Sequence, residues 1–349
     1  MTEKTMFGVY KEGPVPGAVY RTDLPVPAVG PNDILVRVRA VAICGTDLHI
    51  LPWTDYAAAR VPVPMVFGHE FSGDIVEVGS DVKDFKPGDR VAGETHIPCN
   101  DCYQCKTDNR HICDNMKIIG VHVPGAFAEY ISFPQDCAYK IPDDVSYEKG
   151  AMLEPMGVAV HGVSAAKVQD KNVLIYGNGP IGLMAVGVTK VWGAKKIVSV
   201  DLFDEKLALA KKMGADVLLN ANEADVPQEV FKAFGGVGAD IVMDFTGNVH
   251  AILDGFKALR KGGTFIQAGL LSEPLVLDLN ENVIYKEAIV IGVTGRLMYE
   301  TWRECDEILT TTDFDLTPVI GGIYPLKEYE KAFDDIFAGK PGKMLLIPE

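Results

Sequence analysis

The sequence predicts an α/β protein that combines a β-rich, barrel-like domain with a doubly wound parallel sheet. The chain has 349 residues, which is long enough for two buried cores. Up to about residue 150, short segments alternate apolar and polar side chains between glycine and proline turns. Beyond that point, strand-like and helix-like segments alternate along the chain, a pattern typical of a parallel sheet covered by helices.

The first domain is predicted over residues 1–150. Alternation with a period near two at 34–41 and 73–79 predicts strands, and turn residues at 30–33 and 86–89 bound these segments. Such a succession of short strands and turns indicates a barrel-like β domain.

The second domain is predicted over residues 151–295 and a C-terminal segment over 296–349. Predicted strands of the second domain lie at 172–176, 196–200, 217–219, 241–244 and 263–268, with helices at 181–192, 205–213 and 251–259. The C-terminal segment is expected to contain helices at 302–309 and 327–338, a short strand at 320–324 and an apolar end at 343–347.

A glycine-rich turn after the strand at 172–176 points to a dinucleotide. Gly177, Gly179 and Gly182 fit the pattern G-x-G-x-x-G and are followed by a helix-like segment, whose N-terminus would supply N–H donors for phosphates. Asp201 ends the next strand, where it would accept hydrogen bonds from ribose hydroxyls and repel a 2′-phosphate. This pattern favours NAD over NADP. Lys206 complicates that preference, because a cation there could contact a phosphate, although it could equally lie on a solvated helix face.

Four clustered cysteines predict a metal site. A closed tetrahedral shell of four thiolates describes structural zinc. An iron–sulfur cluster is the alternative, but its common bacterial sequence ends with a three-residue gap followed by proline. Here the last gap has seven residues and Asp114 follows, so the spacing favours zinc. The four residues are Cys99, Cys102, Cys105 and Cys113.

A second metal site is predicted from Cys44 and His69, which lie in two short glycine-containing motifs. A catalytic zinc takes three protein ligands and keeps one position open. The third ligand could be Glu70, the neighbour of His69, or Glu154, and the residues alone leave both alternatives open.

These motifs resemble the zinc-containing medium-chain alcohol dehydrogenase family. The resemblance is carried by Gly68-His69-Glu70-x2-Gly73-x5-Gly79-x2-Val82, by the spacing of the four cysteines and by the position of the glycine-rich turn, and it extends over essentially the whole chain. It implies a GroES-like β domain formed by both ends of the chain, an inserted Rossmann domain, and one catalytic and one structural zinc. The implied catalytic ligands are Cys44, His69 and a glutamate, with Glu70 and Glu154 exchangeable.

The same resemblance implies roles for further residues. Zinc would act as a Lewis acid on a substrate hydroxyl while NAD accepts a hydride. Thr46 would begin a proton relay that passes through the cofactor ribose to His49 at the surface, although a turn hydroxyl and a solvated helix residue are the alternatives. Glu154 would tune catalysis, and His96 would lie at the substrate pocket. The implied cofactor contacts are Ile181, Asp201, Lys206, Ala268, Gly269, Leu270, Val293 and Thr294.

Within the family, the chain is most similar to the threonine dehydrogenases, through residues 42–50, 61–70, 94–99 and especially 295–302. This implies oxidation of L-threonine to L-2-amino-3-oxobutanoate. Two positions differ: Val158 stands where that branch has asparagine, and Lys206 stands where it has arginine. Because the stretch 154–158 is also similar to sorbitol and butanediol dehydrogenases, a polyol or 2,3-butanediol is the alternative substrate.

Composition restricts the other partners. A net charge of −15 argues against nucleic acid, since binding to phosphates requires lysine and arginine. The start of the chain lacks the basic and apolar segments of a signal peptide, and no apolar run is long enough to cross a membrane, so we expect a cytoplasmic protein. The family resemblance implies a homotetramer or a homodimer. A non-enzymatic binding protein is disfavoured, because members that lost catalysis have lost metal ligands that this chain keeps.

Overall fold

The computed structural model describes residues 4–349, which form two units. The first unit comprises the chain up to Glu154 together with Ile320–Glu349, and the second comprises Pro155–Val319. Met1–Glu3, where the segment considered for a signal peptide begins, lie outside the described residues.

The first unit is built mainly from short strands. Within the described residues they are β1 (Thr5–Lys11), β2 (Val19–Pro25), β3 (Asp33–Ala42), β4 (Met65–Val66), β5 (Glu70–Val78), β6 (Arg90–Gly93), β7 (His96–Ile97), β8 (Lys117–Ile118), β9 (Tyr130–Pro134), β10 (Ala138–Lys140), β17 (Ile320–Pro325) and β18 (Lys343–Ile347). Its helices are α1 (Asp47–Ile50), α2 (Asp55–Ala58), α3 (Tyr103–Lys106), α4 (Tyr147–Ala151) and α11 (Tyr329–Phe337).

The main sheet of this unit has the order β10-β6-β5-β3-β18-β17, with β9 also pairing with β3. β18 pairs antiparallel with β3 and parallel with β17, so the C-terminal residues enter the sheet beside the N-terminal strands. Smaller sheets are formed by β2-β1-β4 and by β7-β8. Edge-to-face aromatic pairs fill the core, with ring centroids 4.9 Å apart for Phe67 and Phe127 and 5.2 Å apart for Phe71 and Phe133.

The second unit alternates strands and helices. Its strands within the described residues are β11 (Asn172–Tyr176), β12 (Lys196–Asp201), β13 (Val217–Asn220), β14 (Ala239–Asp244), β15 (Leu259–Gln267) and β16 (Ile289–Gly292). Its helices are α6 (Pro180–Val191), α7 (Asp204–Lys212), α8 (Val226–Ala233), α9 (Val249–Ala258) and α10 (Glu300–Thr311), while α5 (Leu153–Ala166) begins at the boundary of the two units.

All six strands of this sheet run parallel in the order β13-β12-β11-β14-β15-β16. Numbered from β11 as the first strand, this is the 3-2-1-4-5-6 order of a dinucleotide-binding sheet. Successive strands are added on one side of β11 up to β13 and on the other side from β14 onward. The central strand β11 is almost entirely buried, as expected for a parallel strand covered by helices on both faces. The predicted fold class is confirmed: the protein combines a GroES-like β domain with a Rossmann-type sheet.

The structure differs from the sequence-based division over residues 296–319. These residues group with the second unit rather than with the C-terminal segment. Helix α10 buries Trp302, Cys305 and Ile308, and the Ser164 hydroxyl on α5 donates to Glu304 at 3.3 Å. Burial of one apolar face of α10 therefore keeps this helix in the second unit. Strand β16 is also present, where the sequence analysis placed no element. Over residues 4–349, no helix is both long and apolar enough to cross a bilayer.

Candidate metal and cofactor sites

The four clustered cysteines surround one point in the loop that contains α3. One sulfur from each lies within 4.8 Å of the others. The Sγ of Cys102 is 3.5 Å from that of Cys105 and 3.8 Å from that of Cys113. Zn–S bonds of about 2.3 Å in a tetrahedron place sulfurs about 3.8 Å apart. The donor set and its spacing therefore fit a closed zinc site.

Hydrogen bonds from backbone N–H groups stabilise negative charge on these sulfurs. The Cys102 N–H donates to Cys99 Sγ at 3.4 Å, and the Cys99 N–H donates to Cys113 Sγ at 3.2 Å. Hydrogen bonds from the N–H groups of Asp101 and Cys102 lower the pKa of the Cys99 thiol to about 6, whereas burial and the neighbouring thiols raise the pKa of Cys105 to about 12. Four thiolates this close need a cation between them, which again fits a metal.

Strands β3 and β5 bring the second cluster together. In their antiparallel register, Ala42 at the end of β3 faces Glu70 at the start of β5. Cys44 lies two residues beyond β3, and His69 directly precedes β5. Donor atoms of Cys44, His69 and Glu70 consequently lie within 4.8 Å of one another. Residues far apart in sequence thus meet at one point.

Asp47, the first residue of α1, is fully buried behind this cluster. Its Oδ2 accepts a hydrogen bond from the Cys44 N–H at 2.9 Å, and its Oδ1 is 3.9 Å from His69 Nδ1. Neither Asp47 Oδ1 nor His69 Nδ1 has a hydrogen-bond partner among the described residues. A carboxylate facing one ring nitrogen favours the tautomer in which the other nitrogen can bind a metal. The Asp47 carboxylate therefore lies beside the His69 ring without a hydrogen bond to it.

The electrostatics of the cluster are those of a cation site. Burial opposes protonation of His69, but the Cys44 thiolate and the carboxylate of Glu154 help to outweigh burial and raise the pKa of the imidazole to about 10. Burial also opposes the charge of Lys343, but Glu70 and Cys44 raise the pKa of its ammonium group. A buried site rich in acidic groups favours any cation that it can hold. Thiolate, imidazole and carboxylate are ligands that zinc accepts.

Both candidate glutamates flank the cluster. Glu70 is the member of the compact group, and its carboxylate is also paired with Lys343. Glu154, in the first turn of α5, is buried, and its charge acts on His69, Glu70 and Lys343. Glu70 is therefore the carboxylate that the structure groups with Cys44 and His69, and Glu154 lies outside that compact group.

The two residues considered for a proton relay lie at and within α1. Thr46, immediately before the helix, is half-buried, while His49 is exposed. Residues three positions apart lie on the same side of a helix. The Nδ1 of His49 is 3.4 Å from the hydroxyl of Thr54, which lies in the turn before α2. His49 therefore lies at the protein surface.

His96, considered for the substrate pocket, lies on β7 and is half-buried. Its Nδ1 is 3.0 Å from Glu94 Oε1, and the same oxygen accepts a hydrogen bond from the His96 backbone N–H at 2.9 Å. Because Glu94 is fully buried, these two contacts fix the imidazole ring in one orientation.

The glycine-rich turn joins β11 to α6, and its three glycines meet different steric demands. A Cβ at Gly182 would lie 1.8 Å from the carbonyl oxygen of Gly177, so the packing of helix against strand excludes a side chain there. Gly177 has φ +90°, which favours glycine. A Cβ at Gly179 would meet nothing within 4 Å, so this position opens into free space where a phosphate could approach.

Asp201 is the last residue of β12. Its carboxylate is hydrogen-bonded both to the glycine-rich turn and to the loop that follows β12. Its Oδ2 accepts a hydrogen bond from the Asn178 N–H at 2.7 Å, while its Oδ1 accepts from the N–H groups of Leu202 at 2.8 Å and Phe203 at 3.2 Å. The ammonium group of Lys206 lies 4.9 Å from the centre of the Phe203 ring. A cavity of about 570 Å³ next to the turn is lined by Gly177, Gly179, Asp201, Phe203 and Lys206, among others.

The remaining predicted cofactor residues follow the carboxyl ends of other strands. Ala268, Gly269 and Leu270 follow β15, and Val293 and Thr294 follow β16. Parallel strands end at the same edge of their sheet, so these segments share an edge with the glycine-rich turn. Ile181 lies on α6, in its first turn.

Three buried polar residues that support these sites were not identified from the sequence. Asp47 and Lys343 are described above. Asp244, at the end of β14, accepts hydrogen bonds from the Thr246 N–H, the Gly247 N–H at 2.9 Å and the Gln267 amide at 2.7 Å. It thereby organises the loops at the cofactor edge. Its position after an apolar strand is the one signal that could have found it.

Comparison with known proteins identifies the family of this chain. The family described as alcohol dehydrogenase GroES-like domain matches residues 30–143, and the family described as zinc-binding dehydrogenase matches residues 180–311. An L-threonine 3-dehydrogenase from Bacillus velezensis is 42% identical over 93% of this chain and 94% of its own length. One from Symbiobacterium thermophilum is 40% identical over 99% of both chains. The structure of a zinc-binding dehydrogenase from Sinorhizobium meliloti bound to NADP matches with a TM-score of 0.92 and 29% identity, covering 99% of this chain and 100% of that one.

Proposed function

The chain belongs to the zinc-binding dehydrogenase family and is therefore an oxidoreductase, and we propose that it oxidises L-threonine to L-2-amino-3-oxobutanoate with NAD. The observation that carries the reaction class is the buried Cys44–His69–Glu70 cluster, which combines three zinc-ligand types at the junction of β3 and β5. Threonine as substrate is supported by the relatives of that name, which align over nearly the whole chain.

Cys44, His69 and either Glu70 or Glu154 would hold the catalytic zinc. Bound there, zinc would act as a Lewis acid that lowers the pKa of a substrate hydroxyl. Thr46, beside the cluster, would take up the hydroxyl proton, and the exposed His49 would release a proton to solvent. Asp47 would keep His69 in the ligating tautomer. The glycine-rich turn and Asp201 would hold the dinucleotide, which would supply the hydride acceptor for oxidation of the alcohol.

For the cofactor, we propose NAD. Asp201 stands where the ribose of the adenosine is bound in this type of sheet, and its charge disfavours a 2′-phosphate. The solved relative from Sinorhizobium meliloti was bound to NADP. The competing cation in this chain, Lys206, is half-buried and lies against Phe203. The other contacts assigned to the cofactor are Gly177, Gly179, Ile181, Gly182, Ala268, Gly269, Leu270, Val293 and Thr294.

The proposed substrate can be tested by initial rates with NAD against L-threonine, sorbitol, xylitol and 2,3-butanediol. We expect the highest kcat/KM for L-threonine. A clear preference for sorbitol, xylitol or butanediol would contradict the substrate while leaving the reaction class intact. His96 and Val158 are then the first positions to exchange, because the first is assigned to the substrate pocket and the second is where this chain departs from the threonine enzymes.

We propose two zinc ions per chain, one at each cysteine-containing cluster. Elemental analysis of the purified protein should give two zinc and no iron. One zinc, or iron with visible colour, would contradict this assignment. Thiolate ligands of this kind are kept in a reducing compartment, which fits the cytoplasm.

We further propose a homo-oligomer, a tetramer or a dimer. β16 lies at the edge of its sheet and pairs with β15 alone among the described strands. The stretch 270–290 exposes several large apolar side chains, among them Leu270, Val276, Leu279, Tyr285 and Ile289. A free strand edge beside such a patch suits pairing with a second copy. Sedimentation analysis should detect no monomer at micromolar concentration.

A further inference from the structure

Thr54, the residue before α2, makes contacts with His49 that none of the motifs predicts. Its hydroxyl oxygen Oγ1 lies 3.3 Å from the carbonyl oxygen of His49 and 3.4 Å from Nδ1 of the same residue. The backbone N–H of Thr54 donates to that carbonyl as well, at 3.0 Å. Thr54 therefore contacts both the backbone and the imidazole ring of the residue that would release a proton to solvent.

The turn between α1 and α2 is held in place by Lys11, the last residue of β1. Lys11 is fully buried, and its ammonium group donates to the carbonyl oxygens of Gly17 at 2.6 Å and Leu51 at 3.0 Å. The same ammonium group lies 5.3 Å from the centre of the Trp53 ring, a cation–π distance. Because Leu51 and Trp53 belong to the turn, these contacts fix the backbone that presents Thr54.

The aromatic ring of Tyr56, on α2, packs beside the imidazole of His49. The two ring centroids are 5.5 Å apart, and the ring planes are inclined by 41°. The guanidinium of Arg60 lies 4.3 Å from the centre of the Tyr56 ring and donates to the Tyr56 carbonyl at 3.5 Å, which holds this ring in turn. Rotation of the imidazole would take Nδ1 away from Thr54 and move the ring against Tyr56. The imidazole is therefore held with Nδ1 toward the Thr54 hydroxyl.

The direction of the Thr54 hydroxyl proton decides which nitrogen of His49 is protonated. A hydroxyl group has one proton to donate and two lone pairs that accept. The carbonyl of His49 is among the last of α1, which lack partners within the helix, and it is the nearer of the two acceptors. With the proton on this carbonyl, the hydroxyl offers only lone pairs to Nδ1. Nδ1 must then carry a proton to donate to Thr54, and Nε2 keeps its lone pair.

We propose that Thr54 is a positioning residue that holds His49 in the tautomer with the proton on Nδ1, so that Nε2 takes up a proton during alcohol oxidation. The proposal rests on the proposed function, because it assumes that His49 carries the released proton to solvent. Nε2 takes up one proton, and the ring becomes an imidazolium with both nitrogens protonated. Nε2 then gives that proton to water, while Nδ1 keeps its hydrogen bond to Thr54.

A purely structural role of Thr54 leads to a different expectation. If the hydroxyl only completes the hydrogen bonds at the end of α1, its removal lowers stability and leaves the protonation of the His49 ring unchanged. Histidine side chains in water favour the tautomer with the proton on Nε2. The opposite tautomer in the folded protein would thus be imposed by the surroundings, and the state of the two ring nitrogens distinguishes the two roles.

The experiment compares the parent protein with Thr54→Val, which keeps the shape but loses the hydroxyl, and with Thr54→Ser, which keeps the hydroxyl. Histidine is isotope-labelled, and the nitrogen chemical shifts of the rings are measured at alkaline pH by solid-state NMR of the sedimented protein without substrate. The signals of His49 are those absent in His49→Gln. Thr310→Val is the matched control, because the exposed Thr310 donates its hydroxyl to the carbonyl of Asp306 within α10 at 2.7 Å.

We expect the parent protein to carry the His49 proton on Nδ1. In Thr54→Val the ratio of tautomers should shift toward the Nε2 form by about 2- to 10-fold, the factor that corresponds to one neutral hydrogen bond. The value of kcat for the preferred alcohol should fall by up to the same factor, while KM for NAD stays nearly unchanged. Thr54→Ser should restore both the ratio and kcat, and Thr310→Val should match the parent.

Three results would overturn the proposal: a proton on Nε2 in the parent, a tautomer ratio that Thr54→Val leaves unchanged, or an unchanged kcat despite a changed ratio. A parent protein that oxidises no alcohol would contradict the proposed function instead. The two failures are distinguishable, because the tautomer is measured without substrate and without turnover.

Discussion

Replacing Asp201 by asparagine tests the origin of the proposed cofactor preference. The carboxylate accepts hydrogen bonds from three backbone N–H groups. In the proposed complex it would also accept hydrogen bonds from the ribose hydroxyls. Asparagine keeps one oxygen, which can serve either Asn178 or the pair Leu202 and Phe203, but not both. Its NH2 group would face a backbone N–H on the other side. The substitution therefore weakens the loop and removes the charge that repels a 2′-phosphate.

The expected change in KM for NAD follows from the hydrogen bonds that the substitution removes. A hydrogen bond to a charged acceptor contributes about 1.5–3 kcal/mol, which corresponds to about 10- to 100-fold in binding. We therefore expect KM for NAD to rise about 10- to 100-fold in Asp201→Asn, with a smaller change in kcat. The use of NADP should improve at the same time, since the repulsion of its 2′-phosphate is lost. Loss of about 1 kcal/mol from the loop would lower Tm by about 2–4 °C.

The assay is initial-rate kinetics with each cofactor at a saturating concentration of the same alcohol, together with thermal unfolding. Glu205→Gln is the matched control, because Glu205 is an exposed acid in the first turn of α7 and its exchange makes the same change in net charge. An unchanged ratio of kcat/KM for NAD and NADP in Asp201→Asn would refute the role of the carboxylate. An equal effect in Glu205→Gln would show that general surface charge sets the preference.

The other predictions concern the metal sites and the turn. Asp47→Asn should weaken zinc binding by about 10- to 100-fold, measured by competition with a chelator, because His69 loses the carboxylate beside its ring; unchanged affinity would contradict this prediction. Gly182→Ala should prevent folding or lower Tm strongly, since its Cβ would lie 1.8 Å from a carbonyl oxygen. Gly179→Ala should leave Tm nearly unchanged but weaken NAD binding; equal stability of the two variants would refute the steric argument. Cys105→Ser should lose one of two zinc ions and lower Tm, and full zinc content would exclude this residue as a ligand.

Much of the architecture could be predicted because local patterns agree with the tertiary structure. The alternation of β11, α6, β12, α7 and β13 follows from apolar strands separated by helix-forming segments, and its parallel pairing follows from the crossover connections. The cysteine cluster could be predicted because its members lie close in sequence. Cys44 and His69 could be paired only through their motifs, since their meeting depends on the register of β3 and β5.

The parts that could not be predicted depend on burial. Lys343 opens an apolar C-terminal strand, and in the sequence it looks like a charged residue at a strand end. Its contact with Glu70 spans 273 positions, and no local pattern indicates it. The sequence-based division places residues 296–319 in the C-terminal segment, whereas the structure groups them with the second unit. The burial of Trp302 and the contact of Ser164 with Glu304, which place α10, are long-range packing effects.

This difference separates what a motif specifies from what its surroundings specify. The motifs around Cys44 and His69 predict a metal site, and the glycine-rich turn predicts a dinucleotide site. The surroundings of each group come from other parts of the chain: Asp47 accepts a hydrogen bond from Cys44, Lys343 pairs with Glu70, and Asp201 accepts a hydrogen bond from Asn178. Exchange of these partners leaves every motif intact, so relatives that share the motifs can differ in metal retention and cofactor preference without any change in reaction class.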